Sequence, residues 1–178
     1  MNRAVLLLGS NRGESKSIIN KAVADLSTLS NPLYKMLISS FYESEPWGFD
    51  ADRWFLNLAV IIETPLSAPE LLRRVLEIEI SLGRLREKSE KEQLNEILPQ
   101  YLSREIDIDI ILFNDQIINL EQLTIPHPRM HLRRFVLEPI AQIAPDYLHP
   151  IFKTSIKSLL ESCEDTSIVT RLSFLYSK

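Results

Sequence analysis

The chain has one cysteine, Cys163, in 178 residues, which excludes an intrachain disulfide and a thiolate-based metal site. That usage fits a reducing compartment, so a cytoplasmic address is expected. Glycine is also scarce. Gly9, Gly13, Gly48 and Gly83 fall in neither a G-x-x-x-x-G-K-[ST] nor a G-x-G-x-x-G arrangement, so neither familiar backbone cradle for phosphate is present. Any nucleotide must then be held by side chains. Long apolar runs are missing too: residues 4–8, behind Arg3, are too few for a signal-peptide core or a membrane span. There is no internal repeat and no low-complexity segment. A net charge of -4 argues against general nucleic-acid or membrane-surface binding, although the arginines are clustered.

With 45% hydrophobic and 25% charged residues, the chain reads as one globular domain large enough for a substantial core. Residues 3–9, with an unbroken apolar run over 4–8, are expected as a buried strand. After the turn at residues 9–13, Ser15 or Ser17 can cap a helix whose apolar positions run from Ile18 to Leu29, with Asn31-Pro32 as its stop. Residues 34–43 and 55–64 read as strands, separated by an eleven-residue loop at 44–54. Connections of that length are more often functional than decorative. Ser67, Pro69 and Glu70 are a helix start signal, Leu71 to Leu82 supply the apolar face, and Gly83 is placed to end it. A charge-dense stretch follows, from Arg84 to about Arg104. Further on, residues 116–118 suit a short edge strand, 137–143 and 156–160 two short helices, and 164–178 an extra strand. The order strand–helix–strand–strand–helix–strand is the ferredoxin-like βαββαβ plan, an α+β fold with helices expected on one face of an antiparallel sheet. That plan alone leaves function open.

Within it, residues 106–110 alternate Ile-Asp-Ile-Asp-Ile. Strand period puts Asp107 and Asp109 on one face, about 6–7 Å apart. Neighbouring carboxylates repel unless a cation lies between them, and hard oxygen donors suit a divalent ion, Mg²⁺ above all. The competing reading is a half-exposed edge strand whose acids are simply solvated and discourage edge pairing.

Candidate phosphate-binding cations are Arg84, Arg86, Arg104, Arg129, Arg133 and Arg134, since a guanidinium matches phosphate in bidentate geometry; for any single one the competing reading is ordinary surface charge. His127 and His131 have helical spacing, but Pro126 and Pro128 bracket His127 and disfavour a histidine metal site. Beside phosphate, His127 is better read as a donor or proton carrier; His149 reads as structural. Trp47, Phe49, Trp54, Phe55, Tyr101 and Phe135 lie in or beside loops; for Phe55 and Phe135 core packing is the competing reading, while the loop tryptophans suggest a flat ligand that stacks. Asn57 shares a strand face with Phe55 and can offer an amide edge to that ligand.

Together these segments resemble the hydroxymethyl-dihydropterin pyrophosphokinases of folate biosynthesis. The matching pieces are LLLGSN at 6–11, SSFYESEPWG at 39–48, FLNLAV at 55–60 and EISLGRLR at 79–86, then SREIDIDIILF at 103–113, LTIPHPRMHLRRFVLEPI at 123–140 and IAPD at 143–146. They cover roughly residues 4–160. The resemblance implies ATP-dependent transfer of diphosphate to the pterin hydroxymethyl oxygen, with release of AMP. It gives Asp107 and Asp109 two Mg²⁺ ions, and a catalytic role to these acids and to Arg84 and Arg86. By the same likeness Glu79, Arg84, Arg86, Arg104, Ile110, His127 and Arg133 bind ATP, with the role of Glu79 open. Ser44, Glu45, Trp47, Phe55, Asn57, Tyr101 and Phe135 bind the pterin, Phe55 and Phe135 sandwiching its ring.

The chain departs from the pattern in places. It has Tyr101-Leu102-Ser103-Arg104 where many members carry Trp-Gly-Pro-Arg, which casts Tyr101 as a closing aromatic lid. Residues 87–100 look longer than the family's usual loop, and Ser44, Glu45 and Trp47 replace other residue types. The expected organisation is a catalytic domain over 1–163 and an extension over 164–178. A monomer is expected, free to associate with other folate-pathway enzymes, with no nucleic-acid or membrane partner. Two other readings stay open: a two-metal nucleotidyltransferase, which would release pyrophosphate instead of AMP, and a ferredoxin-like binding module, for RNA for instance.

Overall fold

A computed structural model describes residues 1–12, 14–47, 53–83 and 105–173. Its elements in order are β1 (Asn2–Ser10), α1 (Ser15–Ser27), β2 (Leu37–Ile38), β3 (Tyr42–Ser44), β4 (Phe55–Thr64), α2 (Ala68–Ser81) and β5 (Asp107–Phe113). There follow β6 (Ile118–Leu120), β7 (Leu123–Ile125), a 3₁₀ turn (Met130–Leu132), α3 (Arg134–Ile143), α4 (Ile156–Glu161) and β8 (Val169–Arg171). The main sheet is antiparallel with order β5-β1-β4-β3-β8, and β2 also pairs with β4. Its first four positions have the strand order of the ferredoxin-like plan, so the expected α+β architecture holds.

Strand alternation divides the core in two. Ala4, Leu6 and Leu8 of β1, Leu58, Val60 and Ile62 of β4, and Ile106, Ile108 and Ile110 face Ile19, Val23 and Leu26 of α1 and Leu71 and Val75 of α2. On the other face Val5, Leu7, Ala59 and Ile61 pack against Val136, Leu137 and Ile140 of α3 and Ile156 and Leu159 of α4. The expectation of helices on one face is therefore corrected: the sheet is covered on both. Each fully buried Leu or Ile removes enough apolar surface from water to contribute roughly 2 kcal/mol.

Other elements move in smaller ways. The expected strand over 34–43 is broken into β2 and β3, because Ser39 turns its side chain inward and its hydroxyl accepts the Ala59 N–H at 2.9 Å. The first helix ends at Ser27 instead of near residue 30. Ser27 and Thr28 bond back to the carbonyls of Ala24 and Asp25 at 2.6 and 2.7 Å, which competes with helix continuation. Glu14 precedes α1 without a side-chain cap, so the expected serine cap is absent. At α2 the start signal acts as expected: Ser67 and Glu70 form a capping box, and Glu70 accepts the Ser67 N–H at 2.9 Å. Gly83, with φ of 102°, follows its end. The short strand expected at 116–118 lies at Ile118–Leu120, in a separate hairpin with β7. The third helix begins at Arg134, three residues earlier than expected, and the tail strand is Val169–Arg171 on the edge of β3. Among the described residues no helix is long and apolar enough to cross a membrane.

Candidate active site

The two aspartates sit where the isoleucine alternation requires. Ile106, Ile108 and Ile110 are buried against α1 and α2, so Asp107 and Asp109 project from the opposite face and are half-buried. In the register Asp107 lies opposite Gly9, and Gly9 opposite Asn57. One row across the sheet therefore reads Asp107, Gly9, Asn57, Tyr42, Arg171. Between Asp107 and Asn57 the row carries no side chain. A Cβ on Gly9 would lie 3.3 Å from Asn57 Oδ1, so the bare backbone there is a close-packing requirement.

β5 is the outer strand of the sheet on this side, and its backbone groups are used by named partners. Glu79, 1% exposed at the end of α2, accepts the Ile108 N–H at 2.8 Å. His127 donates its backbone N–H to the Ile111 carbonyl at 2.9 Å. Glu79 thus fixes the strand at the residue between the two aspartates, a role the sequence left open. A cleft of about 370 Å³ opens along this edge, lined by Leu72, Leu76 and Glu79 of α2, by Asp107 to Ile110, by the β6–β7 hairpin and by His127 and Pro128. The hairpin residues Glu121 and Gln122 are cleft residues that no sequence signal marked, and Thr124 lies in the 123–140 segment but had no expected role.

His127 is pushed down to about 4, by burial first and then by the positive Arg133 and Arg129, against the opposing pull of Asp107. Its Nδ1 accepts the Arg129 N–H at 3.3 Å. The ring is therefore neutral near pH 7, with Nε2 as the donor, and the proton-carrier reading narrows to hydrogen-bond donation.

On the same sheet face, two strands away, Asn57 donates from Nδ2 to Ser44 Oγ at 2.8 Å, both buried. Phe55 shares the face of Asn57 by alternation and pairs with Ser44. The last residue before α3, Arg133, has extended backbone (φ -123°, ψ 107°) and is 7% exposed. Its guanidinium carbon lies 4.6 Å from the Trp47 ring centroid and 5.7 Å from that of Phe135. A residue expected at the nucleotide thus lies over one aromatic expected at the pterin and near a second. Phe135 itself packs against the core cluster that holds Leu7 and Ala59.

Other candidates fall elsewhere. Arg134 pairs with Glu138 at 3.0 Å. His131 meets Phe152 edge-on at 4.8 Å, and His149 stacks on Phe152 at 4.5 Å, so the sequence spacing of His127 and His131 makes no metal pair. Trp54 is 41% exposed. Glu45 accepts the Ile168 N–H at 2.8 Å, which ties its carboxylate to the C-terminal segment. Arg84, Arg86, Tyr101, Arg104 and Phe49 lie outside the described residues. Among the described residues no three His, Cys, Asp or Glu side chains converge as a self-sufficient metal cage. Two half-buried carboxylates on one face fit Mg²⁺ nevertheless, because that ion commonly takes one or two protein carboxylates and completes its shell with water and substrate phosphate.

A ferredoxin-like antiparallel sheet with a carboxylate-lined cleft along its β5 edge, and Asn57 with nearby aromatic side chains on the same sheet face as the acids, defines an α+β protein. The profile of the 7,8-dihydro-6-hydroxymethylpterin-pyrophosphokinase family matches residues 5–145, and the chain belongs to that family. It is 36% identical over 157 residues to the 2-amino-4-hydroxy-6-hydroxymethyldihydropteridine pyrophosphokinase of Aquifex aeolicus, covering 88% of this chain and 89% of that one. Identity to the Bacillus subtilis protein of the same name is 41% over 142 residues, covering 80% and 78%. Among solved structures it is similar to wild-type Plasmodium falciparum HPPK-DHPS, with a TM-score of 0.66 and 18% identity over 90% of this chain and 43% of that chain. At that identity the likeness is one of fold, and the chain spans under half the length of that structure.

Proposed function

We propose that the β5 cleft and the Asn57 pocket are the two halves of one active centre, ATP in the first and the pterin in the second. As a member of its family, the chain is an ATP-dependent pyrophosphokinase of folate biosynthesis. It transfers the β,γ-diphosphate of ATP to the hydroxymethyl oxygen of 6-hydroxymethyl-7,8-dihydropterin and releases AMP.

The observation that carries the site assignment is the row Asp107–Gly9–Asn57. It sets an acid for metal–phosphate chemistry and an amide for reading a heterocycle edge on one face, with only backbone between them. Asp107 and Asp109 would hold Mg²⁺, which when bound neutralises triphosphate charge and lowers the pKa of the attacking hydroxyl. Glu79 keeps β5 in place beneath them. His127 offers a neutral donor to a phosphate or ribose oxygen. Asn57, oriented by Ser44, presents its amide to the pterin edge, while Phe55 and Phe135 supply stacking surface. Arg133 carries fixed positive charge from the aromatic wall toward the phosphates. Arg84, Arg86, Arg104 and Tyr101 complete the reading as phosphate-gripping and lid residues. The same reading takes the chain as a cytoplasmic monomer able to associate with other folate-pathway enzymes.

The test is an AMP-forming assay with ATP, Mg²⁺ and hydroxymethyl-dihydropterin, omitting each in turn. AMP is expected only from the complete mixture. Release of free pyrophosphate in place of AMP would instead favour the nucleotidyltransferase alternative.

A further inference from the structure

We infer that the segment after α4 is a positioning element for the pterin pocket: residues 165–171 hold its two walls at a fixed separation. The inference rests on the pocket assignment above. One wall is the stretch that follows β3, from Ser44 to Trp47. The other is the start of α3, with Arg133 and Phe135. Both are tied to the same four residues, 165–168.

On the first wall the Glu45 N–H donates to the Ile168 carbonyl at 3.2 Å, and the Ile168 N–H donates back to the Glu45 carboxylate at 2.8 Å. The ladder continues as β8, with Ser44 opposite Val169 and Tyr42 opposite Arg171. On the second wall the Asp165 carboxylate accepts the Arg134 N–H at 2.8 Å, in the first turn of α3. An anion there satisfies an otherwise orphaned helix N–H and complements the helix dipole. The other Asp165 oxygen accepts the N–H and hydroxyl of Ser167, which fixes the carboxylate in the orientation that meets α3. Burial raises the Asp165 carboxyl, but the hydrogen bonds from Ser167 and Arg134 and the Arg134 charge outweigh it and leave it below its ordinary value.

A second tie runs in parallel. Arg171 donates from Nε to Ser40 Oγ at 3.0 Å, and Gln142 of α3 donates to the same oxygen at 3.1 Å. Tyr42 closes the network by donating to Gln142 Oε1 at 3.1 Å. Asp165 thus acts through Arg134, and Arg171 through Ser40 and Gln142, as positioning residues.

The experiment is steady-state kinetics on the full chain with each substrate varied in turn, comparing Asp165→Ala, Asp165→Asn, Arg171→Met and Phe135→Ala. Loss of a helix-capping bond corresponds to about a fivefold effect. The expected result is a rise of about that size in pterin KM for Asp165→Ala, exceeding any rise in ATP KM, with Asp165→Asn intermediate. Arg171→Met, which keeps the Asp165 cap, is expected to raise pterin KM in the same selective way. An unchanged pterin KM in Asp165→Ala and Arg171→Met, with Phe135→Ala still raising it, overturns the inference alone. Equal rises in both KM values overturn it as well. No effect of Phe135→Ala on pterin KM overturns the pocket assignment, and the inference with it.

Discussion

The Arg133 guanidinium lies 4.6 Å from the centre of the Trp47 ring, so a cation expected at the nucleotide is anchored on an aromatic expected at the pterin. Stacking of this kind needs a planar cation, which lysine lacks. Arg133→Lys keeps the charge and is expected to lose about 1 kcal/mol of this interaction. Both substrate KM values should rise together in initial-rate measurements; a rise confined to ATP would mean that the stacking does not couple the two sites.

Asp107→Ala and Asp109→Ala are each expected to lower kcat on the order of 10³-fold or more, since metal clamping of phosphate supplies most of the catalysis in such transfers. Both variants should still fold, with a cooperative thermal transition retained. Near-normal turnover in either variant contradicts the metal role.

Glu79→Ala removes the acceptor of the buried Ile108 N–H and is expected to cost about 1–3 kcal/mol of stability in urea titrations, with a fall in kcat. Glu79→Gln retains an oxygen at that position and should be milder. Equal stability losses in the two would show that the bond is not what matters.

Gly9→Ala places a Cβ at 3.3 Å from Asn57 Oδ1, so the amide must shift by a few tenths of an ångström. The expected outcome is a raised pterin KM at unchanged ATP KM. Identical changes in both would remove Gly9 from the floor of the pterin side.

Acid should weaken the fold through His149. Burial first, then His131, lowers it from 6.5 to about 4, and its Nδ1 accepts the N–H groups of Ile151 and Phe152 at 3.2 Å each. The unfolded chain binds the proton first, so this stability is whole above pH 6.5 and is lost as pH falls toward 4, by at most about 3 kcal/mol. His149→Asn keeps an acceptor without titrating; denaturation at pH 7 and pH 4.5 should show a flatter dependence in the variant.

The Ile-Asp alternation and the βαββαβ order were readable because strand period and helix start signals are local. Ser67 with Glu70 is the clearest case. Which sheet face each helix covers was not readable: Val136, Leu137 and Ile140 show an apolar stripe but nothing that says what it meets. The break between β2 and β3 also escaped, since it depends on Ser39 reaching Ala59 on another strand. At the site, Asp107, Asp109, Asn57 and Phe55 share one sheet face, as alternation requires. The place of Arg133 follows from a change of backbone direction between the 3₁₀ turn and α3, which composition does not carry. Gly9 stood in the LLLGSN motif, but its role becomes visible only beside Asn57.

The row Asp107–Gly9–Asn57 makes the sheet a ruler. Neighbouring strands are held about 4.8 Å apart by their own hydrogen bonds, so the strands that carry the two proposed halves of the active centre keep a backbone lattice spacing that substitutions outside the row leave in place. Tuning toward a larger or smaller acceptor therefore falls to the elements that close over the row, while the strand-to-strand distance beneath it stays constant.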